Sequence, residues 1–188
     1  MGPDVVVLGG GSWGTALALH LVRQGKRTRL WVHDADLARA LSSHHENSKY
    51  LPGYRLPSDL EITADMGQAL TDARDVLLVV PSHHCRRVLQ AARPHVTGGM
   101  GFCSASKGIE EGTLLRVSEV IRDVLGDLSA GGVAALSGPS FAREVAEGHP
   151  TAVVVSAGDR EQGRRLQQLL SGGAVRVYTN DDLVGTEF

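Results

Sequence analysis

The chain has few cysteines, little excess charge and no long apolar stretch, and each scarcity argues against a class of protein. Cys85 and Cys103 are the two cysteines among 188 residues. Their spacing fits neither a disulfide framework nor a zinc knuckle, so both are predicted to be buried thiols. A formal net charge of −2, without a basic run interleaved with aromatics, gives little support to nucleic-acid binding. No apolar stretch is long enough to span a bilayer and no signal peptide is evident, which favours the cytoplasm.

Residue types suited to metal binding or hydrolysis occur, but their arrangement is unsuitable. His44, His45 and Glu46 are adjacent, so their side chains would point apart on a helix, and no second cluster completes a ligand shell. We therefore expect no metal site. The sequence has no GxxxxGK[ST] segment, and the letters GxSxG occur only at residues 10–14, within a glycine-rich run, so neither an NTPase phosphate loop nor a separate hydrolase elbow is indicated.

Short apolar runs, each followed by a helical pattern, organise the chain. They occupy residues 5–8, 28–32, 76–80, 101–104, 133–136, 152–155 and 175–178. Strands that alternate with helices predict an α/β fold with a doubly wound, mostly parallel Rossmann-type sheet and helices on both faces. Residues 129–132 could be a flexible joint, but the alternation continues beyond them. We therefore predict one sheet and one dinucleotide-binding domain over residues 1–188.

Three glycines follow the first apolar run at the spacing GxGxxG. Gly9, Gly11 and Gly14 precede a helical pattern with Leu17 and Leu21 on its apolar face. In a dinucleotide fold the first glycine permits a tight turn, the second lets the backbone approach a pyrophosphate, and the third lets the helix pack on the strand. The phosphates would then meet N–H groups at the start of the helix. The alternative is a glycine-rich turn that only joins a strand to a helix.

The second apolar run ends in His33 and Asp34, about twenty residues beyond the glycines. This is where a dinucleotide fold places the group that binds the adenosine ribose, so Asp34 is the expected hydrogen-bond acceptor. A carboxylate would repel the extra phosphate of NADP, whereas a partly protonated His33 would attract it. The cofactor is therefore NAD or NADP. Alternatively, Asp34 serves as the N-cap of a helix over residues 35–41.

Three further segments should reach the same edge of the sheet. Pro81 follows the run 76–80, where a strand end would open onto a ligand crevice, and Lys107 follows the run 101–104. After the run 133–136, Pro139 and Ser140 are predicted to start a helix whose free N–H groups point into the crevice. The simpler interpretations are a solvated lysine and a serine that only caps a helix.

Two neighbouring features are predicted to have no catalytic role. Residues 47–57 hold two prolines, a glycine and two tyrosines without periodicity, and are expected to form an ordered loop. His83 and His84 follow Pro81 and could contact a cofactor, but they would lie in the first turn of a helix, which is usually exposed to solvent.

With these segments in place, the chain closely resembles the amino-terminal domain of bacterial NAD(P)-dependent sn-glycerol-3-phosphate dehydrogenases. The resemblance rests on residues 9–16, 30–33, 46–52, 80–82, 106–110, 136–142 and 177–181. The glycine segment is shared by many dehydrogenases. The segments SKGIE at 106–110 and LSGPSFA at 136–142, in this order, are far more specific.

The resemblance implies reversible hydride transfer between NAD(P)H and dihydroxyacetone phosphate, giving sn-glycerol 3-phosphate for glycerophospholipid synthesis. It assigns cofactor contacts to Ser12, Trp13, His33, Tyr50, Lys107 and Ala142, and substrate contacts to Lys107, Gly138 and Ser140. Position 34 is often arginine in the family, where it would help hold a 2′-phosphate. Asp34 therefore weakens any preference for NADPH.

In the resembled family, the segment after residue 185 continues into an all-helical domain that carries the general-base lysine and the phosphate-binding residues. We accordingly expect no catalytic residue in this chain, weak dinucleotide binding, negligible turnover and a possible homodimer. Two other hypotheses are a different two-domain hydroxyacid dehydrogenase and a non-catalytic NAD(H)-binding sensor or interaction module.

Overall fold

In the computed structural model, which describes residues 2–188, ten strands and eight α-helices follow one another along the chain. The strands are β1 (Val5–Leu8), β2 (Thr28–Trp31), β3 (Glu46–Asn47), β4 (Leu51–Arg55), β5 (Glu61–Thr63), β6 (Asp75–Leu78), β7 (Gly101–Ser104), β8 (Val133–Ser137), β9 (Thr151–Ala157) and β10 (Val175–Asn180). The helices are α1 (Ser12–Arg23), α2 (Ala35–His44), α3 (Met66–Leu70), α4 (Ser82–Ala92), α5 (Val117–Leu125), α6 (Ala142–Glu147), α7 (Arg160–Leu170) and α8 (Leu183–Glu187).

Eight strands form one sheet in the order β10-β9-β8-β7-β6-β1-β2-β5. β8 and β9 are antiparallel, and the other neighbouring pairs are parallel. The doubly wound, mostly parallel sheet is therefore confirmed, and the seven predicted runs all fall on its strands. The possible joint at 129–132 lies in a short 3-10 turn, Gly126–Gly131, that leads into β8 of the same sheet. The chain builds outward from β1 to one edge and then returns to β6 on its other side. The sheet thus has a topological switch point between β1 and β6.

Helices cover both faces of the sheet. Val5 and Val7 pack with the apolar residues of α1, α2, α6 and α7. Val6 and Leu8 pack with those of α3, α4 and α5 on the opposite face. A strand buried on both sides needs apolar residues on both faces, which explains why the run 76–80 shows no alternation.

The segment predicted as a loop contains an antiparallel hairpin, so that prediction is wrong. β3 and β4 pair with Glu46 opposite Arg55, outside the main sheet. Pro52 and Gly53 lie within β4, whose middle residues are exposed. An exposed two-stranded ribbon needs no apolar alternation, so the pattern that identifies buried strands is missing here.

The helix after the glycine turn is buried more widely than an amphipathic pattern indicates. Leu17 and Leu21 are buried as predicted, but every residue from Gly14 to Val22 is buried as well. His20, three residues after Leu17, is also buried, and its Nε2 is 2.8 Å from the carbonyl oxygen of Leu170 in α7. Burial lowers the pKa of His20. α1 is therefore an internal helix, enclosed by the sheet and by its neighbours.

The two cysteines are free, buried thiols, as predicted. Burial raises the pKa of Cys85 to about 11 and that of Cys103 further, so neither thiol is a reactive thiolate at neutral pH. In the part of the chain that the structure describes, no helix has the length and apolar character needed to cross a membrane.

Candidate functional site

A cleft of about 430 Å³ opens at the carboxyl ends of β1, β2 and β6. It lies at the switch point of the sheet, where open α/β folds bind their ligands. Its lining comes from the glycine turn, the end of β2, the start of α2, the hairpin loop and one face of α4. These lining residues are Gly9, Gly10, Gly11, Trp31, Val32, His33, Asp34, Leu37, Tyr50, Val79, Val80, Pro81, His84, Arg87 and Val88.

The three glycines of the motif differ in the space around them, and so in the reason that a side chain is absent. Gly9 has φ +132°, and a Cβ there would overlap the carbonyl oxygen of Val79. A Cβ at Gly14 would overlap the carbonyl oxygen of Gly9, so this glycine lets α1 sit directly on the turn. A Cβ at Gly11 would meet no protein atom within 4 Å. Packing therefore requires Gly9 and Gly14, whereas Gly11 leaves open space beside the cleft.

The first turn of α1 presents unpaired N–H groups. Its N-cap is Gly11, which supplies no side-chain hydrogen bond. The first helical bond runs from the Thr15 N–H to the Gly11 carbonyl at 2.9 Å, so the amides from Gly11 to Gly14 have no acceptor within the helix. The N–H of Gly9 donates to the Trp31 carbonyl at 3.0 Å and is not available. Free amides at the positive end of a helix dipole suit an anion such as a diphosphate.

Asp34 caps α2 and also lies at the cleft. Its Oδ1 accepts from the N–H groups of Asp36 at 2.9 Å and Leu37 at 3.1 Å, which makes it the N-cap of α2. These hydrogen bonds, that from Leu37 most of all, lower the pKa of Asp34, so the carboxylate is ionised at neutral pH. Its Oδ2 makes no hydrogen bond within residues 2–188 and is free at the cleft. His33 is exposed, with its ring centroid 5.7 Å from that of Trp31.

The wall formed by α4 includes residues that the sequence analysis missed. Of the two histidines whose position the sequence left open, His84 is half-buried and lines the cleft, whereas His83 is exposed. Burial, and the neighbouring His83 and Arg87, lower the pKa of His84. Arg87 and Val88 follow one turn later on the same face. The spacing 81, 84, 87 and 88 could have indicated this face, since α4 begins at the predicted strand end.

A second cleft of about 230 Å³ lies farther along the same edge, at the ends of β7 and β8. It is lined by Ser104, Ser106, Lys107, Gly108, Ala135, Leu136, Ser137, Thr186, Glu187 and Phe188. The two clefts adjoin, because a Cβ at Gly108 would lie 3.4 Å from Ser82 Oγ, next to Pro81 of the first cleft. Lys107 is exposed, and its ammonium has no ion-pair or hydrogen-bond partner in the described part of the chain.

An ion pair holds the loop that carries Lys107. Glu110 accepts from Arg86 Nε at 2.8 Å and from Arg86 Nη2 at 2.9 Å, while Thr113 donates to it at 2.6 Å. The hydrogen bonds from Arg86 lower the pKa of Glu110. Because Arg86 belongs to α4, the same helix that walls the first cleft fixes the loop of the second.

The segment after β8 differs from its prediction. α6 begins at Ala142, with Phe141 as an N-cap that makes no side-chain hydrogen bond. Neither Pro139 nor Ser140 starts or caps it; both the amide and the hydroxyl of Ser140 donate to the Gly138 carbonyl, at 2.9 and 3.4 Å. Gly138, Ser140 and Ala142 line neither cleft. A hydrogen-bonded turn therefore replaces the expected helix start.

Ser12 and Trp13 reach the site through their backbone. Ser12 is exposed in the first turn of α1, immediately after the cleft-lining glycines. The side chain of Trp13 points away, into an apolar region with Leu136 and Val145. Across the described residues, no group of His, Cys, Asp or Glu side chains is placed to hold a metal ion.

Substitutions at Gly14 and Gly11 should distinguish a glycine that packing requires from one that ligand binding requires. Because a methyl group at Gly14 would overlap a backbone oxygen, Gly14→Ala should lower the free energy of unfolding by about 2 kcal/mol. Gly11→Ala should leave that free energy unchanged but weaken NADH binding about tenfold or more, since the methyl group obstructs the amides. Urea denaturation and fluorescence titration measure the two effects. Tight NADH binding by Gly11→Ala would contradict this role for the turn.

The fold and sequence also match known proteins. Among solved structures, glycerol-3-phosphate dehydrogenase from Coxiella burnetii superposes with a TM-score of 0.92 at 35% identity, covering 98% of this chain and 56% of that one. Curated relatives named glycerol-3-phosphate dehydrogenase [NAD(P)+] include those of Acidobacterium capsulatum, 46% identical, and Nitratidesulfovibrio vulgaris, 45% identical. Each match covers 97% of this chain but 56% and 55% of the relative. The chain thus spans just over half the length of these relatives.

A family model described as the N-terminus of NAD-dependent glycerol-3-phosphate dehydrogenase matches residues 4–163. The matched region contains the glycine turn, Asp34, Tyr50 and Lys107. The chain therefore belongs to the NAD-dependent glycerol-3-phosphate dehydrogenase family, in its N-terminal part.

Proposed function

We propose that this chain is the dinucleotide-binding domain of a glycerol-3-phosphate dehydrogenase that acts in the cytoplasm. The whole enzyme would transfer a hydride reversibly between NAD(P)H and dihydroxyacetone phosphate, giving sn-glycerol 3-phosphate for glycerophospholipid synthesis. The observation that carries the proposal is the row of unpaired amides from Gly11 to Gly14 beside a cleft at the switch point of the sheet. This is the position in which a parallel α/β sheet binds a dinucleotide diphosphate.

The first cleft supplies contacts for the adenosine half of the dinucleotide. The free Oδ2 of Asp34 would accept from a ribose hydroxyl, as a carboxylate does at this position in dinucleotide folds. Val32 and Leu37 on one side, and Val88 on the other, provide an apolar slot for a flat base. Tyr50 and Pro81 lie at its margin. The geometry thus supports the roles proposed for these residues.

The second cleft provides a cationic group where the substrate would bind. Lys107 would attract the anionic substrate or donate a hydrogen bond to its oxygen, and the hydroxyl of Ser137 lies in the same cleft. Gly138 and Ser140 follow Ser137 directly in the chain, and their substrate contacts remain part of the proposal, as does the cofactor contact of Ala142. The nicotinamide supplies the hydride when bound. Lys107 lies on the loop between the clefts, so it can approach both molecules.

Binding a dinucleotide does not by itself complete the reaction. Hydride transfer requires a placed proton donor or acceptor and a substrate carbon held against the nicotinamide. The chain covers 56% and 55% of two of its relatives, so each has a further part that this chain does not match. We infer that the remainder of the whole enzyme closes the site.

The proposal predicts binding without turnover for the 188-residue chain. Calorimetric titration should give saturable NADH binding, and an absorbance assay should find negligible NADH oxidation on addition of dihydroxyacetone phosphate. Arg39→Ala, on the outer side of α2, is a control that should bind NADH as the parent does. Absence of NADH binding, or rapid oxidation by the chain alone, would disprove the proposal.

Charge at the ribose end should decide between the two cofactors. The ionised Asp34 would repel a 2′-phosphate, so we expect NADH to bind about tenfold more tightly than NADPH at low salt. Asp34→Asn keeps an N-cap side chain. It should bring the ratio of the NADPH and NADH dissociation constants close to one, because His33 and Arg87 remain to attract the phosphate. Asp36→Asn, an exposed neighbour outside the cleft, should leave the ratio unchanged. Equal ratios in the parent and Asp34→Asn would contradict this role.

A further inference from the structure

We propose that Asn47 is a positioning residue that orients the glycine turn for diphosphate binding, an inference that rests on the proposed function. Asn47 ends β3 in the outlying hairpin. It belongs to the motif at 46–52, yet it lines neither cleft and is 0% exposed. A fully buried amide side chain needs an explanation, because its burial is costly unless it is fully hydrogen-bonded.

The hydrogen bonds of Asn47 join three parts of the site. Its Nδ2 donates to the carbonyl oxygen of Gly10 at 3.0 Å and to the Oγ1 of Thr15 at 2.8 Å. Its Oδ1 accepts from the N–H of Tyr50 at 3.1 Å. The orientation of the amide follows from these partners, since the Gly10 carbonyl can only accept and the Tyr50 amide can only donate. Both N–H groups and the oxygen of Asn47 are thus used.

The bond to Gly10 determines where the next amide points. The Gly10 carbonyl and the Gly11 N–H belong to one planar trans peptide, so they point in opposite directions. Asn47 holds the carbonyl on the interior side of the turn. The Gly11 N–H is consequently directed to the other side, toward the cleft that Gly11 lines. A side chain that never touches the ligand therefore sets the direction of an amide that would.

Such a restraint is needed because the turn has little other means of holding its shape. Three consecutive glycines, Gly9 to Gly11, lose more conformational freedom on ordering than any other residues would. The bond from Asn47 to Thr15 fastens the same side chain to α1, and its bond to Tyr50 fastens the hairpin loop. Asn47 thereby holds the turn, the helix and one margin of the cleft in a fixed relation.

Asn47→Asp tests the inference with a minimal change. Aspartate keeps the size and the acceptor for Tyr50 but loses both donors, and its charge repels the Gly10 carbonyl. We expect affinity for NADH and for ADP-ribose, which carries the same diphosphate, to fall about tenfold. Affinity for AMP should fall less than about twofold, because AMP has no diphosphate and makes fewer contacts with the amides of the turn. A loss of equal size for all three ligands would mean a general structural defect and would overturn the inference.

Thr28→Val is the matched control for buried hydrogen-bond loss. Thr28 is 2% exposed, and its hydroxyl bonds locally to the Lys26 carbonyl at the end of β2 remote from the cleft. This variant should lose stability while its affinities for NADH, ADP-ribose and AMP stay at parental values. Unfolding curves measured alongside the titrations ensure that every protein is folded under the binding conditions.

Substitutions at Thr15 keep the inference testable if Asn47→Asp does not fold. Thr15→Val removes one acceptor of Asn47 and should weaken NADH binding about threefold or more, whereas Thr15→Ser keeps the hydroxyl and should restore parental affinity. Parental affinity in Thr15→Val and Asn47→Asp alike would overturn the inference and leave the proposed function standing. Failure of the parent chain to bind NADH would overturn both.

Discussion

The candidate site depends on one local constraint, the side-chain-free approach of α1 to the end of β1. The backbone of Gly14 lies against the carbonyl of Gly9 with no room for a Cβ between them. This proximity brings the start of α1 directly above the strand end, where its first amides have no carbonyl acceptor in the described part of the protein. Larger residues would push the helix away and would let side chains fill the space that an anion needs.

The rest of the fold supports that arrangement from both sides. The topology directs the chain away from β1 and β6 in opposite directions, which leaves the cleft open at the switch point. α4 supplies one wall and, through Arg86 and Glu110, also fixes the loop of Lys107. The hairpin supplies the opposite margin through Tyr50 and reaches the glycine turn through Asn47. The proposed cofactor cleft and the proposed substrate cleft thus lie next to each other along one edge of the sheet.

Sequence patterns predicted the parts of the fold that depend on burial over long segments. β1 is apolar at every position, and β6 from Val76 to Leu78, because helices cover both faces. Backbone contacts require Gly9 and Gly14 of the glycine motif. The position of Asp34 after β2 could be predicted, because the length of α1 determines how far beyond the glycines β2 ends. Where a residue's surroundings are determined by its chain neighbours, the sequence contains the necessary information.

The features that were missed depend on contacts between distant segments. The hairpin of β3 and β4 is exposed and lacks alternation, so its pairing is decided by packing against α1 and α6. The burial of His20 depends on α7, which lies far along the chain. Ser140 makes a turn with Gly138 where a helix start was predicted, since both its donors use the same nearby carbonyl. Arg87 was missed although helical spacing places it on the same side of α4 as Pro81 and His84.

The central claim is that the free amides of the glycine turn bind a dinucleotide diphosphate, and nuclear magnetic resonance measures this directly. On titration of the ¹⁵N-labelled chain with NADH, the amide signals of Gly11, Ser12, Trp13 and Gly14 should shift saturably. Signals from α3, on the opposite face of the sheet, should stay in place. Saturable binding that leaves those four amides unmoved would contradict the account, as would no binding at all.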